Sequence, residues 1–265
     1  MQIGICAWVL PVEVMACFSS AKKLGLDGVV VDYEEALRSE AKDWLQRCEA
    51  YKERADIHQI EIPTLALNQL CTRGMTQKSN EGYAKELLHH SIGVAVAIGA
   101  KKIQVPCFYD NLICNEDDLL QAIEVLKFAC KVGEQEGVNV GLESVLTINQ
   151  HKEVYKAIDS KVLMTMFDTQ NPWRMMNQDG VRIAEYMLPY VGELHAKDSR
   201  NLGPSTLQLG EGDVKYHAIM ELFERAGYNQ WVQLESAYHQ MHNYEAVIIE
   251  DTRQLKKMFK SVRSS

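Results

Sequence analysis

Long hydrophobic stretches are missing from this chain of 265 residues. No apolar run approaches the ~18 residues that a transmembrane helix needs, so we expect neither a membrane-spanning segment nor a membrane partner. The first residues, Met1–Trp8, contain no basic segment and no long apolar segment. This predicts that no signal peptide is present.

Paired cysteine motifs are also missing. The seven cysteines are odd in number and scattered, and no two of them have the C-x-x-C spacing. The pattern argues against a disulfide framework and against a thiolate zinc site, and it favours a reducing compartment. We therefore predict that the protein is cytoplasmic.

Clusters of positive charge are absent as well. The chain has 28 Lys and Arg against 36 Asp and Glu, a net charge of −8, and no Lys/Arg-rich run. Because binding to nucleic acid depends on neutralising backbone phosphates, we expect no nucleic-acid partner.

Linkers, repeats and low-complexity segments are not seen, which predicts a single domain over residues 1–265. Short apolar runs alternate instead with helical patterns, giving eight strand-helix units. The predicted strands are Gln2–Val9, Gly28–Val31, Ile60–Leu67, Lys102–Val105, Val138–Glu143, Val162–Asp168, Val191–His195 and Trp231–Glu235. The predicted helices are Val12–Leu24, Arg38–Ile57, Asn80–Ile98, Asp117–Gln135, Lys152–Asp159, Val181–Met187, His217–Ala226 and Asn243–Val262.

Eight such units in a chain of this length predict an α/β fold, a single closed (β/α)8 TIM barrel. The alternative is an open doubly wound sheet. Its phosphate-binding fingerprint, G-x-G-x-x-G, is absent from the sequence.

The last four predicted strands each end on a side chain that can bind a metal: Glu143, Asp168, His195 and Glu235. The carboxyl ends of parallel strands lie at one end of a barrel, so we expect these side chains to converge. Three oxygen donors and one imidazole suit one divalent cation. A buried carboxylate is costly without a partner, so three of them need a reason.

Each of these residues also has a structural interpretation. Glu143 and Glu235 could form salt bridges at the barrel rim, Asp168 could cap the following loop, and His195 could be a hydrogen-bonded core residue. The occurrence of one such residue on each consecutive strand, always at the same end, favours the metal site.

The set has a chemical purpose. Removing a proton from a carbon next to a carbonyl leaves an enediolate, whose charge a divalent cation can stabilise. A carboxylate on each side of that carbon can take and return the proton. Glu143 and Glu235 are the candidates for these catalytic roles, in addition to ligating the metal.

Further residues at or near strand ends are candidates for substrate binding. The glycine-flanked loop Leu209–Val214 could hold an anion such as a sugar phosphate on its backbone amides, although a simple turn explains it equally well. For the others, a solvated loop or core packing is the alternative. The substrate-binding candidates are Trp8, Asn68, Asn149, Asn171, Lys197, Arg200 and Glu211.

Several short motifs resemble those of the xylose isomerase-like barrel superfamily, which comprises sugar phosphate isomerases and epimerases and the endonuclease IV-like enzymes. They are Leu26–Val31, Gly141–Glu143, Phe167–Asn171, Leu194–Asp198, Leu209–Gly212 and Gln233–Glu235, in the family's order. The resemblance implies that Glu143, Asp168, His195 and Glu235 hold one Mn-type ion, with Mg, Co and Zn as alternatives. It also implies Glu143 and Glu235 as the acid/base pair.

The sequence departs from two branches of that superfamily. Endonuclease IV-like members use additional His residues to hold three zinc ions, and here Asp32-Tyr33, Asn68 and Asn171 stand in such places. This argues against a DNA repair enzyme. Free-sugar 3-epimerases carry Glu, His and Arg where this chain has Asn149, Asn171 and Asn201, which questions that substrate specificity but not the metal-enediolate chemistry.

Sequence reasoning thus predicts a metal-dependent isomerase or epimerase acting on a sugar or sugar phosphate. The alternatives are a dehydratase of the inosose or dehydroshikimate type, because the same enediolate can expel a β-hydroxyl, and a barrel that only binds its ligand. The expected partner is a small carbohydrate, and a homodimer or homotetramer is the expected assembly.

Overall fold

Eight parallel strands close into one barrel in chain order, which confirms the predicted TIM barrel. The computed structural model describes residues 1–33 and 44–259. The strands are β1 (Gln2–Cys6), β2 (Gly28–Asp32), β3 (Thr64–Ala66), β4 (Lys102–Pro106), β5 (Asn139–Glu143), β6 (Leu163–Asp168), β7 (Val191–Ala196) and β8 (Trp231–Leu234).

Helices follow the strands around the barrel. Within the described residues they are α1 (Val14–Lys23), α2 (Trp44–His58), α3 (Glu81–Ile98), α4 (Glu116–Glu136), α5 (Ile148–Ile158), α6 (Asn171–Met176), α7 (Gly180–Met187), α8 (Tyr216–Arg225) and α9 (Tyr244–Met258). The predicted helix bounds that fall at residues 38–43 and 260–262 lie outside the described residues.

Local sequence signals set the ends of these helices. The Asn115 side chain accepts a hydrogen bond from the amide of Asp118 at the start of α4, and Gly137 ends this helix at a φ of 69°. Thr147 and Gln150 form a reciprocal capping box at the start of α5.

Two predicted strands are shorter in the structure by three residues or more. β1 ends at Cys6, and Ala7–Val9 form a turn of 3-10 helix instead of continuing the strand. β3 begins only at Thr64, because Pro63 has no amide hydrogen to donate to a neighbouring strand. The short helix α6 was not predicted, since its six residues are too few to show a helical period.

One compact unit of the structure comprises residues 1–30, 56–61 and 167–259. In it β8 pairs with both β7 and β1, with Gly4 opposite Gln233 and His195 opposite Gln233. A Cβ atom on Gly4 would lie 2.1 Å from the Gln233 Oε1 atom, and one on Gly28 would lie 2.7 Å from the Trp231 ring. Glycine at these two positions makes room for the large side chains of β8.

The other compact unit comprises residues 31–33, 44–55 and 62–166. Strands β3, β4 and β5 pair in sequence, and the register sets Pro106 opposite Glu143. Helices α3 and α4 pack on one another, and both bury rows of aliphatic side chains. This unit therefore fixes Glu143 at the carboxyl end of a fully paired strand.

The strands are buried along almost their whole length, as expected for a parallel sheet covered by helices. Among the described residues, none of the helices combines the length and the apolar character needed to cross a membrane.

Candidate metal centre

Three of the predicted ligands converge at the carboxyl ends of neighbouring strands. Asp168 is the last residue of β6, His195 is next to last in β7, and Glu235 directly follows β8. One ligand atom of each lies within 4.8 Å of those of the others. Asp168 and His195 are 3% and 0% exposed, so the cluster is buried. Two carboxylates and an imidazole are a donor set that fits a divalent cation.

Lys197 lies between the two carboxylates of this cluster. Its Nζ atom is 2.9 Å from Asp168 Oδ2 and 2.9 Å from Glu235 Oε2. Its side chain is 13% exposed, so little water screens these ion pairs. The predicted substrate-binding lysine therefore contributes positive charge to the cluster itself.

Both nitrogen atoms of the His195 ring face carboxylates. Nδ1 is 2.7 Å from Glu235 Oε2, and Nε2 is 3.5 Å from Glu193 Oε1. Glu193 is fully buried and precedes His195 by two residues on the same strand. A carboxylate near the second nitrogen of a ligand histidine is a common arrangement around metal sites, and here it lies at ion-pair distance.

Glu235 is held at both of its oxygen atoms. Trp8 Nε1 donates a hydrogen bond to Oε1 at 3.1 Å, while Oε2 faces His195 and Lys197. Burial alone would raise the pKa of this carboxyl group, but the charges of Lys197 and His195 and their hydrogen bonds lower the pKa to about 2. Glu235 is therefore ionised at neutral pH.

The two oxygen atoms of Asp168 have different surroundings. Oδ1 accepts hydrogen bonds from the amides of Gln170 and Asn171 at 2.8 and 2.7 Å. Oδ2 faces Lys197. The loop-cap interpretation thus holds for Oδ1, and Oδ2 points into the cluster. Asn171 itself is buried and begins α6.

Glu143, the fourth predicted ligand, is the last residue of β5 and is 2% exposed. Gln104 Nε2 on β4 donates a hydrogen bond to Glu143 Oε2 at 2.5 Å. The carbonyl oxygen of Glu143 accepts a hydrogen bond from the amide of Cys107 at 2.8 Å. In the barrel, β5 is the neighbour of β6, the strand that carries Asp168.

The amides of the glycine-flanked loop bind a carboxylate of the protein itself, that of Asp198. The amides of Gly210 and Gly212 each donate a hydrogen bond of 2.9 Å to Oδ2 of Asp198, which is fully buried. The amide of Leu209 donates to Asp251 Oδ1 at 3.1 Å. In this conformation Asp198 thus occupies the amides that could have held a sugar phosphate, and phosphate binding by the loop stays a prediction.

The other predicted substrate-binding residues lie in varied places. Asn68 donates a hydrogen bond of 2.9 Å to Asp32 Oδ2 at the ends of β3 and β2. Asn149 is exposed in the first turn of α5. Arg200 donates a hydrogen bond to the carbonyl oxygen of Glu211, and both side chains are exposed. Arg200 thus links two parts of a loop.

Sequence reasoning missed three residues of these clusters: Glu193, Gln104 and Cys6. Glu193 and Gln104 are polar residues inside apolar strands, and each lies two positions from a residue at the strand end, which was a usable signal. The Sγ atom of Cys6 lies within 4.8 Å of ligand atoms of His195 and Glu235. A search for paired cysteines cannot find a single thiol at a strand end.

Solved structures with this fold include several enzymes. A D-tagatose 3-epimerase-like protein matches with a TM-score of 0.79 and 17% identity, covering 100% of both chains. An L-ribulose 3-epimerase matches with a TM-score of 0.78 and 13% identity over 99% of this chain and 95% of that chain. The probable 3-DHS dehydratase AsbF from Bacillus anthracis matches with a TM-score of 0.75 and 14% identity over 97% and 99%.

A search among curated proteins found no match. A family model described as xylose isomerase-like TIM barrel, however, matches residues 18–258, which is most of the chain. The motif that carried the resemblance also has a physical basis, because Asp198 of the His-x-Lys-Asp segment binds the amides of the Gly-Glu-Gly segment. The chain belongs to the xylose isomerase-like TIM barrel family.

Proposed function

We propose that this protein is a divalent-metal-dependent isomerase or epimerase that moves a proton next to the carbonyl group of a sugar. The convergence of Asp168, His195 and Glu235 at the strand ends carries the proposal. Glu143, at the end of the strand beside β6, is proposed as the fourth ligand. We propose Mn²⁺ as the ion, with Mg²⁺, Co²⁺ and Zn²⁺ as alternatives.

The reaction needs two groups that exchange protons with carbon. We assign these roles to Glu235 and Glu143. In epimerisation, one carboxylate takes the proton from one face of the carbon and the other returns a proton to the opposite face; in isomerisation, the proton is returned to the former carbonyl carbon. Trp8 and His195 hold the Glu235 carboxylate in a fixed orientation for this transfer. A bound divalent cation would stabilise the negative charge that builds up on the substrate oxygens.

The substrate class follows from the charges around the site. The amides of Gly210 and Gly212 bind Asp198, so they offer no place for a substrate phosphate in this conformation. This supports uncharged ketoses as the first substrates to test, with ketose phosphates second. The L-ribulose 3-epimerase of similar fold acts on a ketose according to its name, and we extend that class to this chain as part of the proposal.

Hydrogen exchange in D₂O tests the proposal. The metal-loaded protein would be incubated with ketoses, ketose phosphates and inosose-like ketones, and deuterium incorporation would be followed by NMR. Deuterium at a carbon next to the carbonyl, lost on addition of a chelator, is the expected result. No exchange with any of these ketones, with metal bound, would contradict the proposal.

We expect the substitutions Glu143→Gln and Glu235→Gln each to reduce the exchange rate at least about 100-fold, because general acid-base catalysis contributes about 10²- to 10⁴-fold. Circular dichroism would verify that the fold is retained. Glu185→Gln, an exposed carboxylate on α7, is the control and should exchange like the native protein. Unchanged exchange in either site variant would remove its catalytic role.

Lys197 favours a dehydratase as the second candidate. A dehydratase needs an acid that protonates the departing hydroxyl group. We propose the Lys197 ammonium group, 2.9 Å from both carboxylates of the cluster, for this role. The products of the same exchange experiment distinguish the two reactions, because only a dehydratase gives an unsaturated ketone that has lost water.

A further inference from the structure

Cys6 lies beside the proposed metal centre. It is the last residue of β1 and has no exposed surface. Strand β1 pairs with β8 in a register that sets Gly4 opposite Gln233 and Ile5 opposite Leu234. The residues that come next along the chain are Cys6, at the end of β1, and Glu235, directly after β8. The pairing therefore brings the thiol to the level of the ligands.

Cys6 also meets the geometric requirement for a ligand. Its Sγ atom and ligand atoms of His195 and Glu235 all lie within 4.8 Å of one another. Ligand atoms around a tetrahedral zinc ion are roughly 3.5 Å apart, given metal-ligand distances of about 2.0 to 2.3 Å. These three donors are therefore close enough together to share one ion, in a set that overlaps with Asp168, His195 and Glu235 without including Asp168.

We propose that Cys6 is a ligand of the metal centre, together with His195 and Glu235. This inference rests on the proposed function, because it concerns the same metal centre. With Cys6 as a ligand, the centre has sulfur, nitrogen and oxygen donors. When the Cys6 sulfur binds the ion, its S–H bond breaks and the proton passes to solvent, with no change in oxidation state.

A thiolate ligand changes which metal the centre selects. Sulfur is a soft donor that favours Zn²⁺ and Co²⁺, whereas Mg²⁺ and Mn²⁺ prefer a shell of oxygen donors. The carboxylates and imidazole alone accept all four ions. With its sulfur bound, Cys6 thus shifts the preference of this centre from Mn²⁺, the first choice above, and from Mg²⁺ toward the other two ions named there, Zn²⁺ and Co²⁺.

Absorption spectroscopy with Co²⁺ tests the role of Cys6 without an activity assay. Co²⁺ would be titrated into the metal-free protein. The native protein should show visible d–d bands, which report a bound ion, and a near-ultraviolet charge-transfer band from sulfur to cobalt. Cys6→Ser should keep the d–d bands and lose the charge-transfer band. Cys130→Ser, a buried cysteine on α4, is the matched control and should keep both.

Calorimetric titration adds a second measurement. Cys6→Ser should weaken Zn²⁺ binding at least as much as the loss of an outer-shell partner does, about 10-fold, and change Mg²⁺ binding much less.

The outcomes separate this inference from the proposed function. Visible d–d bands without a charge-transfer band in the native protein would show that the centre binds metal and that Cys6 is not a ligand. No d–d bands at all would overturn both the metal centre and the role of Cys6. A charge-transfer band that persists in Cys6→Ser would assign the sulfur ligand to another cysteine and would also overturn the inference.

Discussion

Lys197 is the residue that neutralises the buried carboxylates of the cluster. Its ammonium group takes a place between Asp168 and Glu235 that a divalent cation would also favour, since each bridges the same two carboxylates. Charges in such a buried place need a partner, because desolvation is costly. Lys197 thus stabilises the cluster when no metal is bound. When a metal ion binds, the Lys197 ammonium group and the ion compete for the same carboxylates.

We predict that Lys197→Met lowers the free energy of unfolding of the metal-free protein by about 3 kcal/mol, because the substitution leaves two buried carboxylates without their cation. Adding Mn²⁺ should restore most of this loss. The measurement is chemical denaturation with chelator and with metal.

Lys215→Met is the matched control, because the Lys215–Asp179 pair is 3.3 Å apart and exposed. This substitution should lower the free energy of unfolding by less than about 1 kcal/mol. Equal stability of the native protein and Lys197→Met in chelator would contradict the counter-ion role.

At the residue scale, part of the site could be predicted from sequence. Asp168, His195 and Glu235 were predictable, because a strand has one carboxyl end and a ligand there stands out from the apolar run before it. The position of Cys6 was not predictable, because it depends on which strands close the barrel. Lys197 was predicted only as a substrate-binding residue, because its role as a counter-ion depends on where a flexible side chain comes to rest.

At the scale of elements, hydrogen bonds to Asp198 hold the two ends of the segment 198–213 together. This buried carboxylate accepts hydrogen bonds from the amides of Ser199, Gly210 and Gly212. Asp213 adds a backbone hydrogen bond to the carbonyl oxygen of Ser199. The two ends of this long loop are therefore held together directly after the strand that carries His195.

We predict that Gly212→Ala destabilises the protein by about 1 to 3 kcal/mol, the usual cost of overpacking. A Cβ atom at this position would lie 2.1 Å from Asp198 Oδ1 and 2.4 Å from the carbonyl oxygen of Ser199, so the loop has to shift. Thermal unfolding gives the measurement.

Gly82→Ala is the control for this substitution, because Gly82 lies in helix α3 with no neighbouring atom near its Cβ position. It should leave stability unchanged or raise it by up to about 1 kcal/mol. A Gly212→Ala protein as stable as the native one would show that the loop accommodates the methyl group.

Elements with a clear period were predictable and loop contacts were not. The long helices α3 and α4 have strong apolar periodicity and end at glycines, and their bounds match the prediction to within one residue. The contacts of the glycine-flanked loop were not predictable. The same sequence is compatible with amides that are free to bind a ligand and with amides that bind Asp198, as they do here.

At the scale of the whole molecule, Asp251 links stability to pH. This buried residue of α9 accepts hydrogen bonds from the Tyr238 hydroxyl group and the Leu209 amide. Burial raises its pKa from 3.8 to about 7, against the lowering effect of these two hydrogen bonds. The folded protein therefore binds the Asp251 proton more tightly than the unfolded chain does.

The sign of the effect follows from this difference. The stabilising contribution of protonated Asp251 is complete below about pH 4, the unfolded pKa, and is lost as the pH rises toward 7. We predict that Asp251→Asn removes this part of the pH dependence. The free energy of unfolding that the native protein loses between pH 4 and pH 7 through this group is at most about 4 kcal/mol. Urea denaturation across this pH range is the measurement.

Glu250→Gln provides the contrast on the same helix. Hydrogen bonds from Arg253 and Gln254 lower the pKa of Glu250 from 4.5 to about 2, so its contribution is complete well above pH 4.5 and is lost as the pH falls through that value toward 2, the opposite direction to Asp251. An Asp251→Asn protein with the native slope between pH 4 and 7 would contradict the assignment.

The glycines of β1 and β2 that accommodate the side chains of β8 affect how this sequence can evolve. Gly4 leaves room for Gln233, and Gly28 leaves room for Trp231. The flexible Gln233 side chain can turn away from a larger residue at position 4, but the rigid Trp231 ring cannot, so a lineage can enlarge position 28 only after position 231 has become smaller. Homologues should show positions 28 and 231 changing as a pair, even though they stand more than two hundred residues apart in the sequence.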